Sequence, residues 1–297
     1  MATVETQALA RYDRDRPRGL LGFVRTKMEQ WTSSLGGPEI ESRLARLVAP
    51  QNEYGVDPFG LELGFAKAAV APVLWLYKHY FRVQTHGIEQ VPSGRVMLIA
   101  NHSGQLPLDG AMIGMSMLLE AEPPRIARAL VEKWAPTLPF VAPFFARTGA
   151  VVGTPENCRR LLAAGETILV FPEGVRGLNK TYDKRYRLQE FGSGFMRLAL
   201  ETQTAIVPVA VVGAEDQAPA LFEFKAAARF LGIPALPFGP TLGLPLPVKY
   251  QLHFGAPLKF EGSADADDAA LDEKVRQVKS TLQAMLDEGV AQRRGIF

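Results

Sequence analysis

From residue 87 onwards, short apolar runs alternate with segments whose apolar positions recur every three or four residues. The short runs, residues 95–100, 125–130, 149–153, 167–171, 205–212 and 249–254, are rich in Val, Ile and Leu and predict strands. The periodic segments, residues 109–119, 155–164, 191–202 and 268–288, predict helices. The last sets Leu271, Val275, Val278, Leu282 and Met285 at alternating steps of four and three, one stripe suited to core packing. Strands alternating with helices predict an α/β fold, with a mixed, mainly parallel sheet covered by helices on both faces. No internal repeat is visible.

The pattern before residue 87 differs and predicts an N-terminal helical appendage. Residues 1–20 mix Arg11, Arg14, Arg16 and Arg18 with Asp13 and Asp15, as a solvated arm does. Residues 20–31 and 40–48 predict two short amphipathic helices, separated by the break at Gly36-Gly37-Pro38. Residues 59–81 are mostly apolar, but Glu62, Lys67, Lys78 and His79 fall among them and Pro72 interrupts them. Two readings stay open for this stretch. One is a helix at a membrane interface, with Trp75, Tyr77 and Tyr80 as anchors; the other is a buried core helix. The expected division is residues 1–84 as arm and membrane-associating helices, and residues 85–297 as the α/β domain. Residues 230–248 carry no charge but have prolines at 234, 237, 240, 245 and 247. Prolines rule out a good spanning helix, and the lack of charge favours a lipid-facing loop over an ordinary surface loop.

Composition narrows the chemistry. The 297 residues suffice for one large core, and the net charge of +2 makes a nucleic-acid partner unexpected. Cys158 is the one cysteine, which excludes an intrachain disulfide and a cysteine zinc cluster. The histidines, at 79, 86, 102 and 253, are scattered, so no metal site is expected. Residues 1–20 are too polar for a secretory signal. Sequons fall at Asn101 and Asn179; the first lies inside the candidate site and reads as chance.

Two polar clusters follow apolar runs. In Ile99-Ala-Asn-His-Ser-Gly-Gln-Leu-Pro-Leu-Asp-Gly110, His102 can exchange a proton near neutral pH and Asp109 can orient the ring. On one straight helix the two would lie about 10 Å apart, so contact requires a bend over residues 104–107, where Gly and Pro can supply it. On local grounds His102 could equally be a capping or core histidine and Asp109 a first-turn carboxylate. In Thr167-Ile-Leu-Val-Phe-Pro-Glu-Gly-Val-Arg-Gly177, a second run ends in a turn carrying Glu173 and Arg176. Arg176 suits a phosphate or carboxylate, and Glu173 suits an acceptor hydroxyl or a loop amide.

Together these blocks resemble the glycerolipid and lysophospholipid acyltransferases. That family carries Asn-His-x4-Asp, then Phe-Pro-Glu-Gly-(Thr/Val)-Arg, then a Val-Pro-Val/Ala strand. Here the counterparts are Asn101-His102 with Asp109, residues 171–176, and Ile206-Val207-Pro208-Val209-Ala210, in the same order. The resemblance covers roughly residues 85–260. It implies His102 as general base on an acceptor hydroxyl, Asp109 as its partner, Glu173 and Gly174 at the acceptor site, and Arg176 near an acceptor phosphate. It also implies an acyl thioester of coenzyme A or acyl carrier protein as co-substrate with no separate cofactor, a membrane lipid as acceptor, and a place on the cytoplasmic face of a membrane.

Two departures matter. Six residues, not four, separate His102 from Asp109. The family's central block usually offers an arginine after an apolar strand, whereas this chain has Pro155 near that place, with Arg159 and Arg160 one turn later as substitutes. The wider gap, with Leu-Pro before the Asp, and residues 244–257 look more like the branch of diacylglycerol and monoacylglycerol acyltransferases, whose acceptors are neutral. The rival expectation is a catalytically weak lipid-binding or membrane-scaffold protein on the same fold. No Gly-x-Ser-x-Gly elbow, phosphate-binding Gly-rich loop or complete dinucleotide fingerprint is present.

Overall fold

A computed structural model describes residues 20–47, 49, 51–102, 108–134, 141–178, 180–219, 222–223, 237–241 and 244–297. Two helices come first, α1 (Leu20–Ala45) and α2 (Leu63–Trp75), the second continuing into a π-helical turn over Leu76–Tyr80. The strands of the main sheet are β1 (Gln84–His86), β2 (Val96–Ala100), β3 (Ala127–Val131), β4 (Val151–Val152), β5 (Thr167–Val170), β6 (Ile206–Val212) and β9 (Gln251–Phe254). Between them lie α3 (Leu108–Leu119), α4 (Val141–Thr148), α5 (Pro155–Ala163), the one-turn α6 (Val175–Leu178) and α7 (Gly194–Thr202); α8 (Asp268–Gln292) follows β9. A separate antiparallel pair joins β7 (Phe222–Glu223) to β8 (Pro237–Phe238).

The seven-stranded sheet runs in the order β1-β9-β6-β2-β5-β3-β4. Every neighbouring pair is parallel except β6 with β9. The fold is therefore α/β with a mixed, mainly parallel sheet. β2 lies between β5 and β6, so the loops leaving these three strands emerge side by side at one edge.

All five side chains of β2 are buried because helices cover both faces. Its alternating residues divide between two apolar clusters, as a period of two demands. Val96, Leu98 and Ala100 pack with Ile40 of α1, Val70 and Leu74 of α2, and Met112 and Ile113 of α3. Met97 and Ile99 pack with Leu161 of α5, Met196 of α7, and Leu271, Val275 and Val278 of α8. Burying each such side chain contributes about 1.5–3 kcal/mol. α8 starts where Asp267 accepts the Ala270 N–H at 2.8 Å, and its predicted stripe does face the core, with Leu271, Val275, Val278 and Leu282 buried. α5 starts at Thr154 with Pro155 in its first turn, where a missing N–H costs nothing.

The expected strands and helices are present, with ends shifted by a residue or a few. The differences have local causes. α1 is one element, kinked at Gly37, whose φ of 61° and ψ of −167° break the helix at the expected Gly-Gly-Pro site. β1 has only the polar residues Gln84, Thr85 and His86, and α4 is short and contains Pro143; neither was expected from the sequence. Over residues 59–81 one side packs into the core as the buried-helix reading expects. Leu74 and Tyr77 are buried, and Tyr77 donates its hydroxyl to Glu120 at 2.6 Å, so Tyr77 is not an anchor; Trp75 remains 39% exposed. The N-terminal arm up to residue 19, the connector 103–107, and residues 230–236 and 242–243 of the proline-rich stretch lie outside the described residues. Among the described residues, no helix is long and apolar enough to cross a membrane.

Candidate active site

The site forms where β2 runs out. At Asn101 the backbone stops pairing and the side chain takes over. Its carboxamide donates to the Val211 carbonyl of β6 at 3.0 Å and accepts the Val211 N–H at 2.7 Å. This extends the sheet by one amide while the main chain turns away, delivering His102 to the carboxyl edge, where parallel sheets bind ligands.

His102 and Asp109 meet. His102 Nδ1 lies 2.7 Å from Asp109 Oδ2, with side-chain exposures of 12% and 0%. Contact is possible because α3 begins only at Leu108, leaving His102 outside the helix and Asp109 in its first turn. The Gly110 N–H donates to Asp109 Oδ1 at 2.7 Å, so both carboxylate oxygens are engaged. The His102 ring stacks on Phe171, with centroids 4.1 Å apart and planes 23° from parallel. An imidazole held through Nδ1 by a buried carboxylate presents its other nitrogen, Nε2, for proton transfer.

Glu173 sits three residues beyond β5 and is buried. Of the two uses left open for it, the observed one is the loop amide. Its Oε1 accepts the His102 N–H at 3.0 Å and its Oε2 accepts the Gln189 N–H at 2.7 Å. Gly174 adopts φ +54°, and a Cβ there would lie 3.0 Å from Glu132 Oε1. Arg176 is exposed on α6 at the same edge. Arg159 and Arg160 are engaged elsewhere. Arg159 donates to Glu201 of α7 at 2.7 Å, and the Arg160 guanidinium lies 5.0 Å from the Phe59 ring centre.

Sequence reasoning missed several members of this cluster. Lys180, only 4% exposed, lies 3.3 Å from Glu173 Oε2 and 2.8 Å from Glu215 Oε1. Burial alone would pull its pKa down, but the carboxylates of Glu215 and Glu173 more than reverse that and raise it. Burial pushes the Glu215 carboxyl up, against the pull of Lys180. The second Glu215 oxygen accepts the Tyr186 N–H at 2.7 Å. Gly177 touches the site directly: a Cβ there would fall 2.9 Å from His102 Cβ and 3.0 Å from Glu173 Cβ. Position offered one signal. Glu215 stands three residues past the end of β6, as Glu173 stands three past β5. Among the described residues, no group of three His, Cys, Asp or Glu is arranged to hold a metal ion.

A family model described as Acyltransferase matches residues 82–212, the span from β1 to the end of β6. An uncharacterized protein of Mycobacterium leprae is 40% identical over 258 residues, covering 82% of this chain and 70% of its own. A Bos taurus protein named as a DGAT1/2-independent enzyme synthesizing storage lipids is 22% identical over 207 residues, 69% of this chain and 59% of its own. Among solved structures, the 1-acyl-sn-glycerophosphate (LPA) acyltransferase PlsC from Thermotoga maritima is similar, with a TM-score of 0.52 and 16% identity over 96% of this chain and 99% of its own. That last likeness is one of fold.

Proposed function

The chain belongs to the acyltransferase family, and we propose that it moves a fatty acyl group from a thioester of coenzyme A or acyl carrier protein to a hydroxyl of a glycerolipid or lysophospholipid. The observation that carries this reading is the 2.7 Å contact between His102 Nδ1 and the buried Asp109 carboxylate at the carboxyl edge of β2. In it, His102 Nε2 removes the proton of the acceptor hydroxyl while Asp109 stabilises the imidazolium. The acceptor oxygen attacks the thioester carbonyl, the carbon–sulfur bond breaks, and the proton on His102 passes to the departing thiolate. A thioester is already activated, so a positioned base suffices and the reaction needs no further cofactor.

Glu173 serves this chemistry by holding the His102 main chain, and Gly174 and Arg176 border the acceptor. Arg176 is the cation we assign to an anionic acceptor group, because Arg159 and Arg160 are already held by Glu201 and Phe59. The site works at a membrane surface on its cytoplasmic face. Exposed aromatic side chains on the helices support that placement: Phe23 and Trp31 on α1, Trp75 on α2 and Phe144 on α4.

The test uses purified protein with labelled acyl-CoA or acyl carrier protein thioester, against lysophosphatidate, monoacylglycerol and diacylglycerol, with products identified by mass. Transfer that His102→Ala abolishes supports the proposal. Lipid binding without turnover, in the chain as it stands, would favour a lipid-binding protein on the same fold.

A further inference from the structure

Three loops leave the adjacent strands β5, β2 and β6, and all three hang on one buried cluster. The loop after β2 reaches it through the His102 N–H, the turn after β5 through Glu173, and the turn after β6 through Glu215. The segment between α6 and α7 supplies Lys180 and the N–H groups of Tyr186 and Gln189. At the centre is the Lys180 ammonium, between two carboxylates that are 0% and 5% exposed. Each of the four carboxylate oxygens has a partner: His102 N–H, Gln189 N–H with Lys180, Lys180, and Tyr186 N–H.

We propose that Lys180 is a positioning residue for the general base: by bridging Glu173 and Glu215 it fixes the Glu173 carboxylate in place, and that carboxylate fixes the His102 main chain and so the ring. The proposal rests on the acyltransferase reading above. Its physical basis is that two buried carboxylates close together repel each other unless a cation lies between them. Without Lys180, the Glu173 and Glu215 carboxylates lose the cation that lies between them and repel each other, and the Glu173 side chain is displaced. The contact that slackens is the one to His102, and Gly177 transmits the change because it abuts both His102 and Glu173. Lys180 does not touch the reacting atoms; it acts through Glu173.

The experiment compares wild type with Lys180→Met, Lys180→Arg and the double variant Lys180→Met/Glu215→Gln. We expect Lys180→Met to lower kcat by tenfold or more while the KM for thioester and acceptor stays within twofold. Glu215→Gln added to it removes the competing charge, lets Glu173 return to the His102 N–H, and recovers most of the lost kcat. Lys180→Arg keeps the cation and falls between. A second readout needs no turnover: the His102 backbone amide, followed by hydrogen exchange, loses protection in Lys180→Met and regains it in the double variant. Where Lys180→Met does not fold, the double variant and Lys180→Arg carry the same comparison.

Unchanged kcat per folded molecule in Lys180→Met, or unchanged His102 amide protection, overturns the proposal. So does a double variant that regains thermal stability but neither kcat nor amide protection. A wild-type chain that transfers no acyl group would overturn the acyltransferase reading instead, and the exchange measurement would still decide whether Lys180 positions His102.

Discussion

Two buried ion clusters in this molecule share a plan and differ in what they hold. Near the carboxyl edge, Lys180 lies between Glu173 and Glu215. Beneath the Phe59 ring, Arg128 of β3 lies 2.8 Å from Asp57 and 4.0 Å from Glu166. Each sets one buried cation between two carboxylates, of which Glu166 alone is partly exposed. The difference lies in the oxygen that faces away from the cation. In the first cluster Glu173 Oε1 accepts the His102 N–H. In the second, Asp57 Oδ1 accepts the N–H groups of Phe59 and Leu61 at 2.8 and 2.7 Å, which shapes the turn between α1 and α2. The second cluster is also less complete, because Arg128 Nε and Nη2 find no hydrogen-bond partner among the described residues. A buried ion pair is weak evidence for stability in itself, so the use of each cluster is read from the backbone it grips. The first grips the loop we assign to catalysis, the second the joint between the N-terminal helices and the sheet.

The comparison breaks most readily at its most consequential residue. His102→Ala should lower kcat by roughly 10²–10⁴-fold, the range of general-base contributions, with the circular dichroism spectrum unchanged. Activity near wild type in a folded variant would leave the first cluster with no chemistry to support. Next in size comes the second cluster. Asp57→Ala leaves Arg128 buried without its closest carboxylate and two turn amides without their acceptor, so urea denaturation should show a loss of about 3–5 kcal/mol. The kcat of the molecules that remain folded should stay within twofold. A fall in kcat as large as that of Lys180→Met would erase the distinction between the clusters.

How far the sequence revealed these clusters follows from their geometry. The unbroken apolar runs of the strands and the stripe on α8 announced the layered α/β fold, because burial on both faces of a strand or one face of a helix leaves a pattern that is local in the chain. The His102–Asp109 contact was legible as a requirement. Seven residues of straight helix keep the two apart, and Gly and Pro between them allow the bend that the 2.7 Å distance demands. Lys180 was not legible, and Glu215 was marked only by its place three residues past an apolar run, as Glu173 is. They meet Glu173 only because β5 and β6 flank β2, and strand order leaves no periodic trace in the sequence. Arg159 and Arg160 illustrate the converse. Nearness in sequence to an expected phosphate-binding block suggested them, but their helix directs them to Glu201 and Phe59.

A smaller effect sharpens the same contrast from the packing side. Gly177 is helical in backbone, yet a methyl group there would crowd the Cβ atoms of His102 and Glu173 and the His102 carbonyl, at 2.9–3.0 Å. Gly177→Ala should cost about 1–3 kcal/mol of stability by overpacking. Because the displaced neighbour is His102, it should also lower kcat, by about tenfold. Lost stability with full activity per folded molecule would show that the His102 loop tolerates displacement, which would weaken the positioning argument for Lys180 as well.

The smallest effect concerns a half-buried imidazole that has no closely paired carboxylate, the arrangement both clusters avoid. On neighbouring strands β1 and β9, His86 and His253 are in register and their rings stack at 4.8 Å. Gly289 of α8 closes over His253, whose Nε2 is buried without a hydrogen-bond partner among the described residues; the more distant Glu288 carboxylate pulls the other way. Burial first, and the neighbouring His86 second, lower the His253 pKa from its ordinary value near 6.5. The folded chain then binds this proton less readily than the unfolded chain. The stability His253 contributes is complete above the ordinary histidine range and is lost as pH falls through the lowered folded value. Urea midpoints should therefore decline between pH 7.5 and 5, and His253→Gln should decline less over the same interval. An equal decline in both proteins would mean that the stacked pair adds nothing to acid sensitivity.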